Sequence, residues 1–466
     1  MCDNNNNNNN TNNNQNHSKL FGCCVHDSIR VSSSALKIIN TPEFQRMRQI
    51  KQLGLCHHVY PSATHTRFEH SIGVYHLAGI MVDKIQQQYP NKYYDTIDLG
   101  KIQLTCRIGE LIKIAGLCHD IGHGPFSHIF DDILLKNSSH PNAKHEIRSV
   151  LITEMLCKRE LPELSDKEIS FIQSIIKPNL NIHTGALYQI VSNSLNGIDV
   201  DKFDYLVRDT KCLGLQTGFN PKRLINEFII DCNDNIAYPK HCSVDIYEMF
   251  HSRYMMHKKV YSHKTVKLIE VMLSDLFIKV DNIFGITVSI NDMEEFCKLT
   301  DQTVFNYIEI ITTPPKWLSV NKIEIELDFN IVREANQIYQ QILSRKLYQL
   351  VMAIVDGENS GKYIRNFLQH LIDKKFDRSE FHIIETKIGF VSDTSNPFDS
   401  IFFYDKKEND QTFVINRSSI SSLLSNRMQE MHWYLVCRNR TIYPAVMVEL
   451  QKYMENEQID HLVSSR

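Results

Sequence analysis

Three histidines and an aspartate are concentrated in residues 117–128, which read LCHDIGHGPFSH. In a regular helix the adjacent side chains of His119 and Asp120 would diverge around the helix axis. Gly122 and the pair Gly124-Pro125 remove that constraint, because they end or distort the helix that arrives over residues 108–117. The stretch therefore predicts a site of metal and acid–base chemistry, and it argues against a regular core helix.

Length and composition restrict the class of protein. The 466 residues suffice for one large domain with an additional lobe, or for two to three ordinary domains. A net charge of −3 gives no general attraction to DNA or to an acidic membrane. The twelve cysteines form no C-x-x-C pair and follow no secretory signal, so we expect reduced thiols in an intracellular protein, in nucleus or cytoplasm. No apolar run approaches the ~18 residues of a membrane span, so no membrane partner is expected.

The sequence predicts a mainly α fold in three parts. Residues 1–18 hold an asparagine-rich tract without apolar residues to bury, and we expect a disordered tail. Residues 19–280 are predicted to form the helical domain that carries the histidine cluster. Residues 281–466 are predicted to form a smaller α+β lobe that contributes to assembly.

Local patterns within the lobe predict its elements. Alternation typical of strands occurs at Lys322 to Leu327 and in residues 381–385, 401–404 and 412–415, with a hairpin turn at 406–410. A last helix is expected at Pro444. Asp292 and the pair Thr300-Asp301 have the composition of helix starts.

Two further stretches of the helical domain carry candidate site residues. Arg67 and His70 are three residues apart and would share one face of a helix, as a phosphate partner and a metal ligand. Helical periodicity places a second set of polar residues on one stripe: Asp201, Tyr205, Arg208 and Asp209. A mixture of carboxylates, an aromatic hydroxyl and a cation is typical of a functional site.

These residues supply a set of ligands for a catalytic metal. The best set is His70, His119, Asp120 and Asp201. Imidazoles with carboxylates suit Fe, Mn, Zn, Ni or Co, and the ligand types do not decide among them. With one position left open, such a metal lowers the pKa of a bound water towards neutrality and makes it a nucleophile.

Groups that suit a phosphate ester occur near these ligands in the sequence. The candidate proton donors or charge stabilisers are His123, His128 and His145, and the candidate phosphate-binding cations are Arg67, Lys202 and Arg253. From the residues alone, we predict a metal-dependent phosphohydrolase. The basic and aromatic stretch 253–264 indicates a polyanion partner, which makes nucleic acid a secondary partner class.

The order His70, His119-Asp120, Asp201 is the H…HD…D pattern of the HD-domain superfamily, an all-helical metal phosphohydrolase fold. Longer strings resemble the SAM-and-HD-domain deoxynucleoside triphosphate triphosphohydrolases in particular. Those strings are residues 41–54, 65–73, 115–128, 196–209, 249–253 and 261–264. The similarity extends from about Lys19 to near Met454.

This resemblance implies hydrolysis of a dNTP to a deoxynucleoside and inorganic triphosphate, with attack at the α-phosphorus, and thereby control of dNTP pools. It implies Fe, Mn or Zn in the HD site, Mg²⁺ on the nucleotide phosphates, and His128 next to the leaving 5′-oxygen. The implied phosphate binders are Arg67, Lys202, Tyr205 and Arg253. The implied sugar-lining residues, which exclude ribonucleotides by crowding C2′, are Gln52, Leu53, Asp209 and Tyr261.

The resemblance also implies nucleotide-dependent assembly from dimer to tetramer, with GTP or dNTP activators. The implied activator-site residues are Lys19, Asn40, Gln45, Arg48, Arg223, His263 and Lys264. The sequence departs from the family here. No sterile-alpha-motif domain precedes the HD region, residues 22–27 replace the family's N-D-P-x-H-G segment, and Asn40 stands where the family has a guanine-reading aspartate. Activation by GTP is therefore left open.

Two alternative functions remain at this point. One is an HD nucleotidase or phosphodiesterase that acts on a monophosphate or cyclic nucleotide, although three cations exceed what one phosphate requires. The other is a nucleic-acid binding protein with a vestigial HD site. The complete set of ligands argues against that second alternative.

Overall fold

A computed structural model describes residues 18–136, 138–314, 328–355, 360–391, 396–416, 419–420 and 429–457. Residues 1–17 of the predicted tail and the predicted strand Lys322 to Leu327 lie outside the described residues.

Helices dominate the described residues, which confirms the predicted mainly α class. They are α1 Ser33–Ile39, α2 Pro42–Gln45, α3 Arg67–Gln88, α4 Cys106–Cys118, α5 His145–Glu160, α6 Asp166–Ile176, α7 Val200–Cys212, α8 Pro221–Glu227, α9 Ser243–Met256, α10 Lys264–Phe284, α11 Met293–Phe296, α12 Thr303–Thr312, α13 Phe329–Leu343, α14 Ser360–Asp373 and α15 Tyr443–Glu457. Among these helices, none combines the length and the apolar character needed to cross a bilayer.

Within the described residues, the strands form four small sheets. They are β1 Lys19–Cys23, β2 Asp27–Val31, β3 Tyr93–Thr96, β4 Gly100–Gln103, β5 Ile229–Ile230, β6 Ile236–Pro239, β7 Gln349–Val355, β8 Phe381–Gly389, β9 Phe402–Asp405, β10 Glu408–Phe413 and β11 Gln429–Cys437. Strands β1-β2 and β3-β4 are separate pairs, and two larger sheets have the orders β10-β9-β6-β5 and β7-β11-β8. Strands β6 and β9 run parallel, which joins the helical part of the chain to the C-terminal part.

Side-chain caps fix several helix starts that the sequence indicates. The hydroxyl of Thr41 accepts a hydrogen bond from the backbone of Phe44 at the start of α2, and Asp292 caps α11. The expected start at Thr300-Asp301 is wrong, because α12 begins at Thr303 and the Asp301 carboxylate turns into the interior. Asp301 therefore contacts backbone groups elsewhere in the chain.

Two apolar cores organise these elements. The larger one lies between the helices, where α3 packs against both α4 and α7. The smaller one lies between the sheet β7-β11-β8 and helices α14 and α15, with Phe367, Leu371 and Leu435 fully buried. Helix α10 continues to Phe284, so the predicted domain boundary at residue 280 falls in its last turn. The division into domains otherwise stays a prediction.

The contact between α3 and α7 depends on Gly73. A Cβ atom at this position would lie 2.0 Å from Oδ1 of Asp204 and 2.4 Å from a terminal guanidinium nitrogen of Arg208. Both of those side chains are fully buried and paired with each other, so they have little room to shift. The absence of a side chain at Gly73 therefore sets the distance between the two helices.

We predict that Gly73→Ala lowers the free energy of unfolding by about 1–3 kcal/mol, the usual cost of overpacking. Gly79→Ala on the same helix is the matched control, because its Cβ would meet the Lys113 side chain at an ordinary 3.5 Å. That control is expected to keep or raise stability, since alanine is favoured over glycine in a helix by about 1 kcal/mol. Thermal denaturation measures both variants, and equal melting temperatures would contradict the prediction.

Candidate functional site

The four predicted metal ligands lie at the ends of three helices. His70 occupies the first turn of α3, and His119 and Asp120 follow directly after the last residue of α4. Asp201 lies in the first turn of α7, whose start is capped by Asp199. Each ligand therefore lies at a helix end that is marked by a local sequence signal. The packing of α3 against α4 and α7 brings these three ends together.

The ligand atoms of this group face one another. Nε2 of His70 lies 3.0 Å from Oδ1 of Asp201 and 3.6 Å from Oδ2 of Asp120. Nε2 of His119 lies 3.5 Å from Oδ1 of Asp120 and 3.5 Å from Oδ1 of Asp201. His70, His119 and Asp201 place one ligand atom each close enough together to hold a single ion, and Asp120 lies beside them and also groups with His123 and His145. The structure thus brings the four predicted residues together, and their function as metal ligands stays a prediction.

The carboxylates of this cluster favour positive charge next to them. Burial disfavours the charged form of His70, but hydrogen bonds to Asp201 and Asp204 outweigh burial and raise its pKa to about 10. Burial also disfavours ionisation of Asp120, yet Arg67 and the nearby imidazoles hold the pKa of its carboxyl well below the usual range. Nε2 of His119 is buried and lacks a hydrogen-bond partner among the described residues. These donors fit a divalent metal, which imidazole and carboxylate ligands bind.

A second layer of residues orients His70. Its Nδ1 donates to Oδ2 of Asp204 at 2.9 Å, and Asp204 also accepts from Nε2 of His26 at 2.6 Å. Arg208 binds the same carboxylate from one turn further along α7. The predicted stripe is therefore wrong for Arg208, because its side chain points to Asp204 and to Cys23 at the end of β1. Sequence reasoning missed Asp204 and His26, although both lie in segments that it had singled out.

Three further histidines form a cluster beside Asp120. Nε2 of His123 lies 3.3 Å from Oδ1 of Asp120, and its ring stacks on His145 at a centroid distance of 3.8 Å. The ring of His128 approaches His123 edge-on at 5.3 Å. Burial, together with the charge of Arg67, holds the pKa of His123 well below its ordinary value. His128 is the most accessible of the three, with 69% of its side chain exposed.

Asp131 orients His145. It accepts from Nδ1 of His145 at 2.7 Å and from the backbone N–H of the same residue at 2.9 Å. Burial alone would raise the pKa of Asp131, but His145 and Arg148 lower it, so the carboxylate is ionised. The hydrogen bond fixes which nitrogen of His145 faces the cluster.

The turn in front of His128 has an unusual backbone. Phe126 and Ser127 both adopt left-handed conformations, with φ of 58° and 59°. Such conformations cost roughly 1–3 kcal/mol each for residues other than glycine. Oγ of Ser127 accepts from Nε of Arg67 at 2.9 Å and donates to the carbonyl of Lys51 at 2.9 Å. The turn is therefore held by contacts from outside its own segment.

The predicted phosphate binders surround the metal ligands. Arg67 is buried and bonded to Asp120, while Lys202 lies 3.2 Å from Asp199. Burial disfavours the charged form of Lys202, but Asp199 and the groups near it raise its pKa above the ordinary value. Arg253 donates to the carbonyl of Gly389 at the end of β8. The Tyr205 ring packs edge-on against His70 at 6.4 Å.

The predicted sugar-lining residues form one wall. Asp209 accepts from the hydroxyl of Tyr261 at 2.6 Å and from Nε2 of His65 at 2.8 Å. The backbone of Gln52 pairs with that of His65, and Oε1 of Gln52 is buried without a partner among the described residues. Leu53 packs against the main core next to Gln52. His65 was missed as a site residue, although it begins one of the family-like strings.

The predicted activator residues lie on several separate elements. Gln45 and Arg48 contact each other at 2.8 Å, and the Arg48 guanidinium lies 3.5 Å from the Phe68 ring centroid. The remaining positions are Lys19 on β1, Asn40 at the end of α1, Arg223 paired with Asp245, His263 as the cap of α10, and Lys264 as its first residue. Their joint function as a nucleotide pocket stays a prediction.

We predict that His119→Ala loses the bound metal, because one of two imidazole ligands is removed. The variant is expected to melt as a folded protein, since α3, α4 and α7 are held by the main apolar core. Elemental analysis and thermal melting measure the two properties together. His128→Ala is the control and is expected to keep its metal, because this exposed ring lies outside the ligand set. Full metal content in His119→Ala would rule out this ligand set.

Comparisons with known proteins agree with this geometry. Residues 67–209 match the HD domain family. The chain is 51% identical to an HD domain-containing protein of Acanthamoeba polyphaga mimivirus, over 94% of this chain and 96% of that protein. It is 32% identical to the Dictyostelium discoideum homolog of deoxynucleoside triphosphate triphosphohydrolase SAMHD1, over 95% of this chain and 82% of the homolog. It is also 32% identical to human deoxynucleoside triphosphate triphosphohydrolase SAMHD1, over 90% and 71% of the two chains. The chain therefore belongs to the HD-domain family of SAMHD1-type deoxynucleoside triphosphate triphosphohydrolases.

Proposed function

We propose that this protein hydrolyses a dNTP to a deoxynucleoside and inorganic triphosphate and so limits dNTP pools. The observation that carries the proposal is the convergence of His70, His119 and Asp201, with Asp120 between them and the three-histidine cluster. Two relatives that share 32% identity with the chain are named for this activity. The reaction consumes one water, which attacks the α-phosphorus while the bond to the sugar 5′-oxygen breaks.

The four-residue cluster would hold a divalent metal, with Fe, Mn and Zn as the candidates. When bound, the metal supplies Lewis acidity that makes a water nucleophilic near neutral pH and offsets negative charge on the phosphate. Asp204 contributes by fixing the ring of His70 from its far side, which leaves Nε2 facing the cluster. Mg²⁺ is proposed to accompany the β- and γ-phosphates.

The three-histidine cluster would supply a proton to the leaving group. We assign His128 to protonate the 5′-oxygen, because its side chain is largely exposed and can reach a bound substrate, while His123 is buried. Asp131 holds His145, and the stacked ring of His145 in turn supports His123. A positioned general acid of this kind contributes roughly 10²–10⁴-fold to a rate.

The cations would bind the triphosphate chain. Arg67, Lys202 and Arg253 come from three different helices, α3, α7 and α9. Their number favours a triphosphate over the single phosphate of a monophosphate or cyclic nucleotide. The nucleotidase alternative is for this reason the weaker one, and no contact among the described residues specifically favours a nucleic-acid binding role.

The Tyr261 ring would exclude a ribose. Its hydroxyl is bonded to Asp209, and Asp209 is bonded to His65, so the ring cannot swing aside without breaking a buried hydrogen bond. Burial, reinforced by Asp209, raises the pKa of Tyr261 well above its ordinary value, which keeps the phenol protonated as a donor. A 2′-hydroxyl is expected to clash with this fixed wall.

We predict that the purified protein releases triphosphate from dGTP and leaves GTP intact. Anion-exchange analysis separates triphosphate from the orthophosphate that a nucleotidase would release. Tyr261→Ala is expected to gain activity on GTP because the wall opens. Tyr261→Phe keeps the ring but loses its hydrogen bond to Asp209, so it is expected to gain less activity on GTP than Tyr261→Ala. Orthophosphate as the only inorganic product, or equal rates on GTP and dGTP in the unaltered protein, would contradict the proposed function.

We also propose regulation through a nucleotide pocket between subunits in a dimer-to-tetramer assembly. Half-buried Gln45 and exposed Arg48 form a hydrogen-bonded pair next to the end of α1, where Asn40 is exposed. Asn40 carries no charge, so it would bind guanine less tightly than the family's aspartate.

The eleven cysteines among the described residues are all free thiols, which supports the proposed intracellular location.

We predict that Asn40→Asp tightens activation by GTP about tenfold. Hydrogen bonds to charged groups are worth about 1.5–3 kcal/mol against roughly 1 kcal/mol for neutral ones, and ~1.4 kcal/mol corresponds to a decade. Light scattering across a GTP titration follows the assembly, and the rate at saturation is expected to stay the same. Asn181→Asp, an exposed position with the same change of charge, is the control. A single oligomer size at all GTP concentrations would contradict the proposed regulation.

A further inference from the structure

A carboxylate from outside the matched HD region reaches the turn in front of His128. Asp301 lies between α11 and α12 and is 4% exposed. Its Oδ1 accepts from the backbone N–H of Phe126 at 2.7 Å, and its Oδ2 accepts from the backbone N–H of Lys51 at 2.9 Å. Lys51 and Phe126 are about 75 residues apart in the sequence, so one buried side chain binds two distant segments of the chain.

These two bonds are part of a closed ring of contacts. The carbonyl of Lys51 accepts from Oγ of Ser127 at 2.9 Å, so the Lys51 peptide groups contact both Asp301 and the turn. Arg67 donates to the same Ser127 hydroxyl at 2.9 Å. The turn 126–127 is consequently fixed on one side by Asp301 and on the other by Lys51 and Arg67.

The turn requires such support because of its backbone conformation. Phe126 and Ser127 are both left-handed, which residues with a Cβ rarely adopt in succession. Contacts with Phe277 and Phe305, at centroid distances of 5.8 and 5.7 Å, hold the ring of Phe126. Ring packing does not satisfy the buried N–H of Phe126, whereas the Asp301 carboxylate does. His128 follows the turn directly, so its direction depends on the conformation at 126–127.

We propose that Asp301 is a positioning residue for the hydrolysis: it holds residues 126–127 in the left-handed turn that directs His128 to the leaving 5′-oxygen. The inference rests on the proposed function. Asp301 forms no hydrogen bond with any of the four metal ligands among the described residues. Its direct contacts are with the turn before His128 and with Lys51, and it is linked to Asp120 only indirectly, through Ser127 and Arg67.

Asp301→Asn is the informative variant, since it keeps the size of the side chain but provides one acceptor oxygen where two are needed. We expect kcat on dGTP to fall about tenfold or more, and about 100-fold in Asp301→Ala, because small misplacements of a catalytic group have effects of this size. Metal content is expected to stay that of the unaltered protein, and KM is expected to change less than kcat.

A substrate that needs no proton on its leaving group separates positioning from general damage. In dGTP with sulfur in place of the bridging 5′-oxygen, the leaving thiol has a pKa of about 8.5 and departs without an acid. We expect Asp301→Asn and His128→Ala to be slow on dGTP but close to the unaltered protein on the sulfur analogue. Asp292→Asn is the matched control and is expected to be unchanged, because Asp292 also accepts from two backbone N–H groups but does so at the exposed cap of α11.

Each outcome decides the matter. Equal losses on both substrates would show that Asp301 is merely structural, and full activity on dGTP in Asp301→Asn would show that it is not needed. Either result overturns the positioning role while the unaltered protein still releases triphosphate. No triphosphate from the unaltered protein would instead remove the proposed function.

Discussion

The site depends on a buried carboxylate, Asp204, that is shared by two helices. Asp204 is fully buried, where an unpaired charge would be costly, but Arg208, His26 and His70 all donate to it. Burial would raise the pKa of its carboxyl, yet Arg208 and the two histidines hold it well below the usual range. Because the ionised carboxylate binds Nδ1 of His70, Nε2 faces the other metal ligands. The glycine at position 73 allows α3 and α7 to approach closely enough for this contact.

The loop that carries the histidines is buried although it is not helical. Its backbone groups therefore need partners from elsewhere, and two buried arginines supply several of them. Arg46 donates to the carbonyls of residues 121 and 123, and Arg148 donates to the carbonyl of Gly122 at 2.8 Å. Gly122 contacts α5 so closely that a Cβ atom would lie 2.3 Å from the carbonyl oxygen of His145. The backbone carbonyls of the loop thus form tertiary hydrogen bonds in place of helical ones. Because the loop is not held in a regular helix, His119 and Asp120 can face the same point.

Residues beyond the predicted domain boundary take part in the site. Asp301 contacts the turn before His128, and the carbonyl of Gly389 at the end of β8 accepts from Arg253. Strand β9 adds to the sheet that begins with β5 and β6. Through these contacts the C-terminal part of the chain touches the turn before His128, the proposed proton donor, and Arg253, a proposed phosphate-binding cation, in addition to any contribution it makes to assembly.

The helical class, several capped helix starts, the four candidate metal ligands and the three-histidine cluster could all be predicted from the sequence, because each has a local signal in spacing or in residue type. Strands β7 and β11 went unpredicted, since short apolar runs do not distinguish a buried strand from a buried helix segment. Asp204, His26, His65 and Asp301 became recognisable as site residues only through the tertiary structure. A single Asp among 54 acidic residues has no local signature, and its role follows from which distant backbone or imidazole group the packing places beside it.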